Sequence, residues 1–349
     1  MSRGELFLSE IREQPDALER VADNLANLDD AAAQFRERGI RLIRMAAHGS
    51  SDNAASYGVY AFALLAGLTA FRDSISLTVY FGAEIDLGDS CLLGLSQSGK
   101  TQDVVDFVEH GSRRGAFTLA ITNDLDSPLA AAAYLAVPLL AGEERAVAAT
   151  KTYCAEVATL GLLAAHIAGS GERYADGLRD AASRLRAWIP DLEERLAPLA
   201  AELAGVERML VVGRGPAYAT AREIALKLLE TCRMAAVSLT ATDLAHGPVA
   251  ALDEMFPVWA LADGDASLPT VVEAVARSRA AGARTIVSGP AAASVPGATI
   301  VIPAPAAPLP LLEPILTVVP GQLFAAALAR AKGLDPDSPA GLAKVTLVP

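Results

Sequence analysis

A short polar segment between two apolar runs has the composition of a phosphate-binding loop. Residues 96–101 read Ser-Gln-Ser-Gly-Lys-Thr, and we call them the hydroxyl loop. The apolar residues 91–95 predict a buried strand before it, and the apolar spacing of residues 104–108 predicts a helix after it. Free amides in the first turn of that helix, its macrodipole and the permissive Gly99 would favour a dianion. The ordinary alternative is a serine-rich helix cap. The Gly-x4-Gly-Lys pattern of nucleotide P-loops is absent from the sequence.

A second group of titratable residues lies on one predicted helix. Glu223, Lys227 and Glu230 stand at i, i+4 and i+7 and therefore share one face. Taken alone, the row is typical of surface salt bridges worth roughly 0.2–0.5 kcal/mol per pair, with Leu226 and Leu229 packing inward. The alternative is that one of these carboxylates moves protons in a reaction.

The strand and helix pattern of the chain is repeated. Residues 43–50 resemble residues 209–216, and residues 95–99 align with residues 261–265. A third strand recurs with the same offset of 166 residues, at 119–123 and 285–289. Such a repeat predicts an α/β protein with two open parallel sheets, each flanked by helices on both faces. In sheets of this kind, ligands bind beyond the carboxyl ends of the strands.

The two copies differ at the position of the hydroxyl loop. The second copy reads Ala-Asp-Gly-Asp at residues 262–265, where two acids would repel a phosphate, so one phosphate site is expected. The predicted organisation is a helical arm (1–36), a first domain that binds phosphate (37–170), a helical linker (171–203), a second domain (204–333) and a tail (334–349).

Composition excludes several classes of partner. A net charge of −12 and a pI near 4.9 argue against nucleic acid and anionic membranes. The uncharged stretch 53–71 contains several polar residues and is better explained as a helix buried against a sheet than as a membrane span. The three cysteines lie far apart, which is typical of a cytoplasmic protein. The four histidines are scattered, so we expect no metal and no cofactor.

Taken together, these segments resemble the sugar isomerase (SIS) domain family, with the domain present twice. The resemblance is strongest to the isomerase half of glucosamine-6-phosphate synthases, and it covers nearly the whole chain in a fixed order. The matching segments are residues 10–15, 49–51, 96–101, 147–151, 213–215, 223–230, 246–248 and 342–344.

The resemblance implies a role for each matching residue at a hexose-6-phosphate site. The phosphate would be bound by Ser50, Ser51, Ser96, Gln97, Ser98 and Thr101. Val147 and Ala343 would line the sugar. Glu230 would move a proton between C1 and C2, and Lys344 would meet the sugar carbonyl, with which it can form an imine. His246, contributed by the partner subunit of a homodimer, would assist ring opening.

The chemistry requires such groups independently of the resemblance. Opening a sugar ring needs a proton shuttle of near-neutral pKa, which is the natural role of a histidine. One carboxylate can then serve both carbons in the proton transfer, and a lysine that forms a Schiff base offers an electron sink.

Three departures from the family pattern narrow the expected function. Ala149 replaces the serine of the family motif Ala-Ser-Thr-Lys. Lys100 replaces the glutamate of the family motif Ser-Gln-Ser-Gly-Glu-Thr. This lysine would either strengthen the attraction for phosphate or face water. Residues 1–36 are too few for the glutaminase domain of the synthases. We therefore expect an isomerase/deaminase that converts glucosamine 6-phosphate and water to fructose 6-phosphate and ammonia. The alternatives are a fructosamine-6-phosphate deglycase and a non-catalytic regulator that binds sugar phosphates.

Overall fold

Ten strands form two parallel sheets of five strands each in the computed structural model, which describes residues 3–344. The first sheet contains β1 (Leu42–Ala46), β2 (Thr69–Arg72), β3 (Ser90–Ser96), β4 (Phe117–Thr122) and β5 (Leu135–Pro138). The second contains β6 (Arg208–Gly213), β7 (Ala235–Thr240), β8 (Val258–Leu261), β9 (Thr285–Gly289) and β10 (Ile300–Pro303).

Both sheets have the same strand order, as expected for a repeat. The first runs β2-β1-β3-β4-β5, and the second runs β7-β6-β8-β9-β10. The direction of winding therefore reverses between β1 and β3 and again between β6 and β8, and these reversal points are where open α/β sheets bind ligands. The predicted fold class is confirmed.

Helices connect and flank the strands. The α-helices are α1 (Glu5–Arg12), α2 (Gln14–Ala22), α3 (Asp29–Glu37), α4 (Gly49–Ala66), α5 (Ile75–Val79), α6 (Gln102–Arg113), α7 (Pro128–Ala132), α8 (Lys151–Ile167), α9 (Gly171–Glu202), α10 (Ala217–Cys232), α11 (Ala241–Ala245), α12 (Leu268–Ala280), α13 (Glu313–Thr317) and α14 (Val319–Ala331).

The chain forms two compact units. The first-sheet unit comprises Asp16–Glu144, Lys151–Arg179 and the described residues from Ala343 onward. The second-sheet unit comprises the described residues up to Pro15, Arg145–Thr150 and Asp180–Leu342. The domain bounds derived from the sequence stay a prediction, and residues 345–349 of the predicted tail lie outside the described residues.

The elements that carry the hydroxyl loop are anchored in the core of the first-sheet unit. All seven residues of β3 are buried, and the predicted apolar face of α6 is buried with them. Gly94 in β3 allows α6 to pack closely, because a Cβ there would lie 2.7 Å from Val108 and 2.8 Å from Leu129. Strand and helix are therefore held rigidly on either side of the loop.

In the second-sheet unit, α10 packs against α14. A Cβ on Gly321 of α14 would lie 2.3 Å from the buried Ile224 of α10, so this close approach requires a glycine. The helical stretch Pro310–Ala331, which includes α14, is long and apolar enough to cross a membrane by those two criteria alone. However, 89% of its apolar window is buried inside the fold, as in the core helix of a soluble protein.

Candidate active site

The hydroxyl loop begins where β3 ends and is organised by its own side chains. Ser96 Oγ accepts a hydrogen bond from the Gly99 amide at 3.2 Å and lies 3.3 Å from Thr101 Oγ1. Ser98 Oγ accepts from the Lys100 amide at 3.3 Å. Three of the predicted phosphate ligands thus lie in one turn.

This turn requires glycine at position 99. Gly99 has a φ of 62°, and a Cβ there would lie 2.1 Å from Ser127 Oγ. Thr101 precedes the first residue of α6, but its hydroxyl makes no capping hydrogen bond to any described residue. The first-turn amides of α6 therefore receive no capping hydrogen bond from Thr101. Such amides at the start of a helix are suited to binding an anion. The simple cap interpretation therefore does not hold for Thr101.

A second hydroxyl segment lies at the same edge of the first sheet. Ser50 and Ser51 are in the first turn of α4, which follows β1, and β1 is the neighbour of β3 at the reversal point. Ser51 Oγ donates a hydrogen bond to Glu156 Oε1 at 2.6 Å. While that bond is made, Ser51 cannot donate the same proton to a phosphate oxygen. Sequence reasoning missed Glu156, although a glutamate in the apolar segment 153–165 was a visible signal.

Gln97 and Lys100 have different environments. The Gln97 carbonyl accepts from the Asn123 amide at 3.1 Å, which fixes the loop to the end of β4. Lys100 is exposed, and its Nζ lies 3.8 Å from Asp124 Oδ2. Lys100 is thus exposed beside an acid, and its effect on a phosphate stays a prediction.

The second titratable group is buried in the second-sheet unit. Lys227 is fully buried on α10, with its Nζ 2.5 Å from Glu230 Oε2 and 3.4 Å from Glu223 Oε1. Glu223 is also fully buried, whereas the side chain of Glu230 is 22% exposed. The surface salt-bridge interpretation is therefore wrong. The predicted inward packing of Leu229 is also wrong, because this residue is 54% exposed.

The magnitudes show why this arrangement is unusual. An exposed pair contributes a few tenths of a kcal/mol, whereas removing one partner of a buried ion pair costs about 3–5 kcal/mol. The contact of Lys227 with Glu230 does not have hydrogen-bond geometry, since Oε2 lacks a hydrogen-bond partner among the described residues. Lys227 thus supplies close positive charge, and Glu230 is the end of the cluster that reaches solvent.

Glu230 lines a cavity of about 520 Å³ within the second-sheet unit. The last turn of α10 forms one wall, where Leu226 and Leu229 flank the carboxylate. Residues between Gly333 and Leu342 form the other wall. The volume is within the range of small-ligand sites. The exposure of Leu229 is explained by this position on the wall.

The remaining predicted residues are distributed over both units. Lys344 Nζ lies 3.4 Å from Oε2 of Glu144 in the first-sheet unit, which also contains the exposed Ala343. In the second-sheet unit, the Val147 amide donates to the carbonyl of Asp337 at 3.0 Å. His246 follows α11, is exposed, and its ring makes no hydrogen bond or ion pair to any residue between 3 and 344.

The reversal point of the second sheet is acidic, as the sequence predicted. Asp263 follows β8 and is buried, which raises its pKa to about 8, with further contributions from Glu313 and Asp265. Burial likewise raises the pKa of Glu313 to about 7. Asp263 Oδ1 has no hydrogen-bond partner among the described residues. No group of three or more histidine, cysteine, aspartate or glutamate residues with metal-binding geometry occurs within residues 3–344.

The raised pKa of Asp263 predicts a pH dependence of stability. Between pH 4 and pH 8 this carboxyl binds more protons in the native state than in the unfolded state, so its contribution to the free energy of unfolding falls as pH rises. One such group contributes up to about 1.4 kcal/mol per pH unit. We expect Asp263→Asn to flatten this slope in urea unfolding between pH 5 and pH 8. The exposed Asp126 provides the control, since Asp126→Asn should leave the slope unchanged. Equal slopes for wild type and Asp263→Asn would contradict the assignment.

Comparison with known proteins agrees with this architecture. The SIS domain family model matches residues 38–166 and 202–329. A glutamine–fructose-6-phosphate aminotransferase (isomerizing) of Gloeobacter violaceus is 33% identical over 98% of this chain. The chain spans 58% of the length of that relative.

Solved structures show the same fold. The C-terminal domain of glucosamine-fructose-6-phosphate aminotransferase from Francisella tularensis has a TM-score of 0.87 and 25% identity, covering 95% of this chain and 97% of that one. Glucosamine-6-phosphate deaminase from Thermotoga maritima has a TM-score of 0.77 at 20% identity, covering 99% of this chain and 100% of that one, and this likeness concerns the fold alone. The chain belongs to the SIS domain family and contains two SIS segments in tandem.

Proposed function

We propose that this chain is a phosphosugar isomerase/deaminase that converts glucosamine 6-phosphate and water to fructose 6-phosphate and ammonia. The observation that carries the proposal is the buried Lys227 beside Glu230, because a family member that only binds sugar phosphates has no need for it. The curated relative named above supports an isomerase; because this chain spans 58% of its length, the reaction is proposed here for this chain and is not carried over from that relative.

In this proposal the first-sheet unit binds the phosphate. Ser96, Ser98 and Thr101 surround the start of α6, where first-turn amides and the helix dipole favour a dianion. Ser50, Ser51 and Gln97 complete the predicted set at the same sheet edge. The second sheet carries Asp263 and Asp265 in place of these hydroxyls, so we assign the phosphate to the first sheet.

The second-sheet unit supplies the base. Glu230 removes the proton at one carbon of the opened sugar and returns it to the neighbouring carbon. Lys227 holds the carboxylate in place and supplies positive charge. His246 assists ring opening, Lys344 meets the carbonyl, and Val147 and Ala343 line the sugar. No metal or cofactor enters this scheme, which we place in the cytoplasm, consistent with three buried free cysteines.

A second candidate is a fructosamine-6-phosphate deglycase. The cavity beside Glu230 has leucines on both walls, Leu226 and Leu229 on one and Leu334 on the other, and this apolar lining suits an N-substituent larger than hydrogen. Incubation with an N-substituted fructosamine 6-phosphate distinguishes the two reactions, because a deglycase releases the substituted amine from it, whereas a deaminase releases ammonia from glucosamine 6-phosphate.

The phosphate requirement and the reaction can be tested together. We expect ammonia and fructose 6-phosphate in equal amounts from glucosamine 6-phosphate, and no turnover of glucosamine at the same concentration. The reason is that the hydroxyl loop recognises the dianion. Coupled enzymatic assays of ammonia and of fructose 6-phosphate measure both products. Equal turnover of the unphosphorylated sugar would exclude the proposed role of the loop, and binding without turnover would favour the regulator.

The role of Glu230 predicts a loss of turnover without a loss of binding. Glu230→Gln removes the base, and a single general base typically contributes about 10²–10⁴-fold. We expect kcat to fall by about that factor, whereas calorimetric affinity for fructose 6-phosphate stays within about twofold. The control is Glu254→Gln, the same change at an exposed position. Wild-type kcat in Glu230→Gln would place the base elsewhere.

Assembly follows from the proposed role of His246. Its exposed ring, without a partner in the described part of its own chain, is consistent with a role in the active site of a second subunit. We therefore propose a homodimer with two-fold symmetry.

Mixing two inactive variants tests this assembly. A dimer of one Glu230→Gln chain and one His246→Ala chain has one site with both defects and one site with neither. Random exchange at equal amounts makes about half the dimers mixed, so about a quarter of all sites should recover ammonia release. Native mass spectrometry verifies the mixed dimer. A mixed dimer without recovered activity would show that His246 does not act across the interface.

A further inference from the structure

Glu144 is a buried acid that the proposed reaction does not yet use. Its side chain is fully buried in the first-sheet unit, a few residues before α8 begins. Glu144 Oε1 accepts a hydrogen bond from the amide of Thr152 at 3.2 Å. A carboxylate at the start of a helix is stabilised by the free amides and the helix dipole. One oxygen of Glu144 is therefore anchored to a rigid element.

The other oxygen of Glu144 meets Lys344. Lys344 Nζ donates to Glu144 Oε2 at 3.4 Å, and the lysine side chain is 27% exposed. Lys344 belongs to no helix or strand, so regular secondary structure does not fix its position. Burying a carboxylate fully costs free energy unless the carboxylate is paired and hydrogen-bonded. Thr152 donates a hydrogen bond to Glu144, and Lys344 supplies both a hydrogen bond and the opposite charge.

We propose that Glu144 is a positioning residue that holds the Lys344 ammonium ready for the sugar carbonyl. This inference rests on the proposed function, in which Lys344 forms an imine. In that step a C–N bond forms between Lys344 Nζ and the carbonyl carbon. The carbonyl oxygen leaves as water with two of the three ammonium protons, and the third proton stays on the iminium nitrogen. Glu144 fixes the nitrogen before this step and does not touch the sugar.

The rival explanation is that Glu144 serves only as a cap for α8. Glu144→Gln separates the two, because the amide oxygen still accepts from Thr152 whereas the negative charge facing Lys344 is lost. Glu143→Gln is the matched control, since this neighbouring glutamate is exposed and the backbone carbonyl that accepts from Lys151 is retained. Glu144→Asp is a second variant, which keeps the charge but shortens the side chain by about 1.5 Å.

The experiment is a cycle of wild type, Glu144→Gln, Lys344→Ala and the double variant, assayed with glucosamine 6-phosphate. We expect Glu144→Gln to lower kcat by about tenfold or more, with KM within about twofold, because a misplaced reacting group costs rate rather than binding. Glu144→Asp should also lose kcat, and Glu143→Gln should match wild type. In the double variant, loss of Glu144 should add nothing to the loss caused by Lys344→Ala.

A chemical readout separates positioning from capping. With fructose 6-phosphate and cyanoborohydride, mass spectrometry should find a reduced adduct on Lys344 in wild type and Glu143→Gln. The adduct should form about tenfold more slowly in Glu144→Gln. If Glu144→Gln forms the adduct at the wild-type rate and keeps the wild-type kcat, Glu144 does not position Lys344, although the role of Lys344 itself would stand. Wild-type turnover by Lys344→Ala would remove the role of Lys344 and the inference with it.

Discussion

The site in the second-sheet unit depends on one buried lysine. Lys227 has no exposed surface and lies between Glu223 and Glu230, so it keeps both carboxylates close on one face of α10. Elsewhere on α10, Ile224 packs closely against Gly321 of α14. Loss of Lys227 would leave two neighbouring carboxylates without its positive charge, whereas loss of either carboxylate leaves the lysine paired with the other. Glu230, the partly exposed member of this cluster, lines the cavity described above, and it is the group we assign to proton transfer.

The repeated sheet topology explains why one fold carries two different edges. Both sheets reverse their winding after the first strand of the repeat, and both present a loop there. In the first sheet the loop carries hydroxyls and precedes the amides of α6. In the second sheet Asp263 and Asp265 take the corresponding positions, and burial raises the pKa of Asp263 to about 8. Equal geometry with different side chains thus gives one edge lined by hydroxyls and suited to a dianion, and one edge where a largely protonated Asp263 lies near Asp265.

Sequence periodicity predicted the fold well because sheet strands leave local signals. The apolar run 91–95 became part of β3, the spacing of residues 104–108 became the buried face of α6, and the offset of 166 residues marked the repeat. The burial of Lys227 and the exposure of Leu229 could not be predicted, because they depend on tertiary packing. The opposite wall of the cavity that Leu229 lines, for example, is formed by residues 333–342, far along the chain. The partners Glu156 and Glu144 were missed for the same reason. Glu156 contacts Ser51, which lies 105 positions away in the sequence, and Glu144 contacts Lys344, which lies 200 positions away.

We propose that Glu230 moves a proton between adjacent carbons of a phosphorylated sugar. The most direct measurement is NMR of fructose 6-phosphate incubated with the protein in D2O, without ammonia. A base that exchanges with solvent should introduce deuterium at C1 with wild-type protein and not with Glu230→Gln. Deuterium incorporation at the same rate in both proteins would contradict the account.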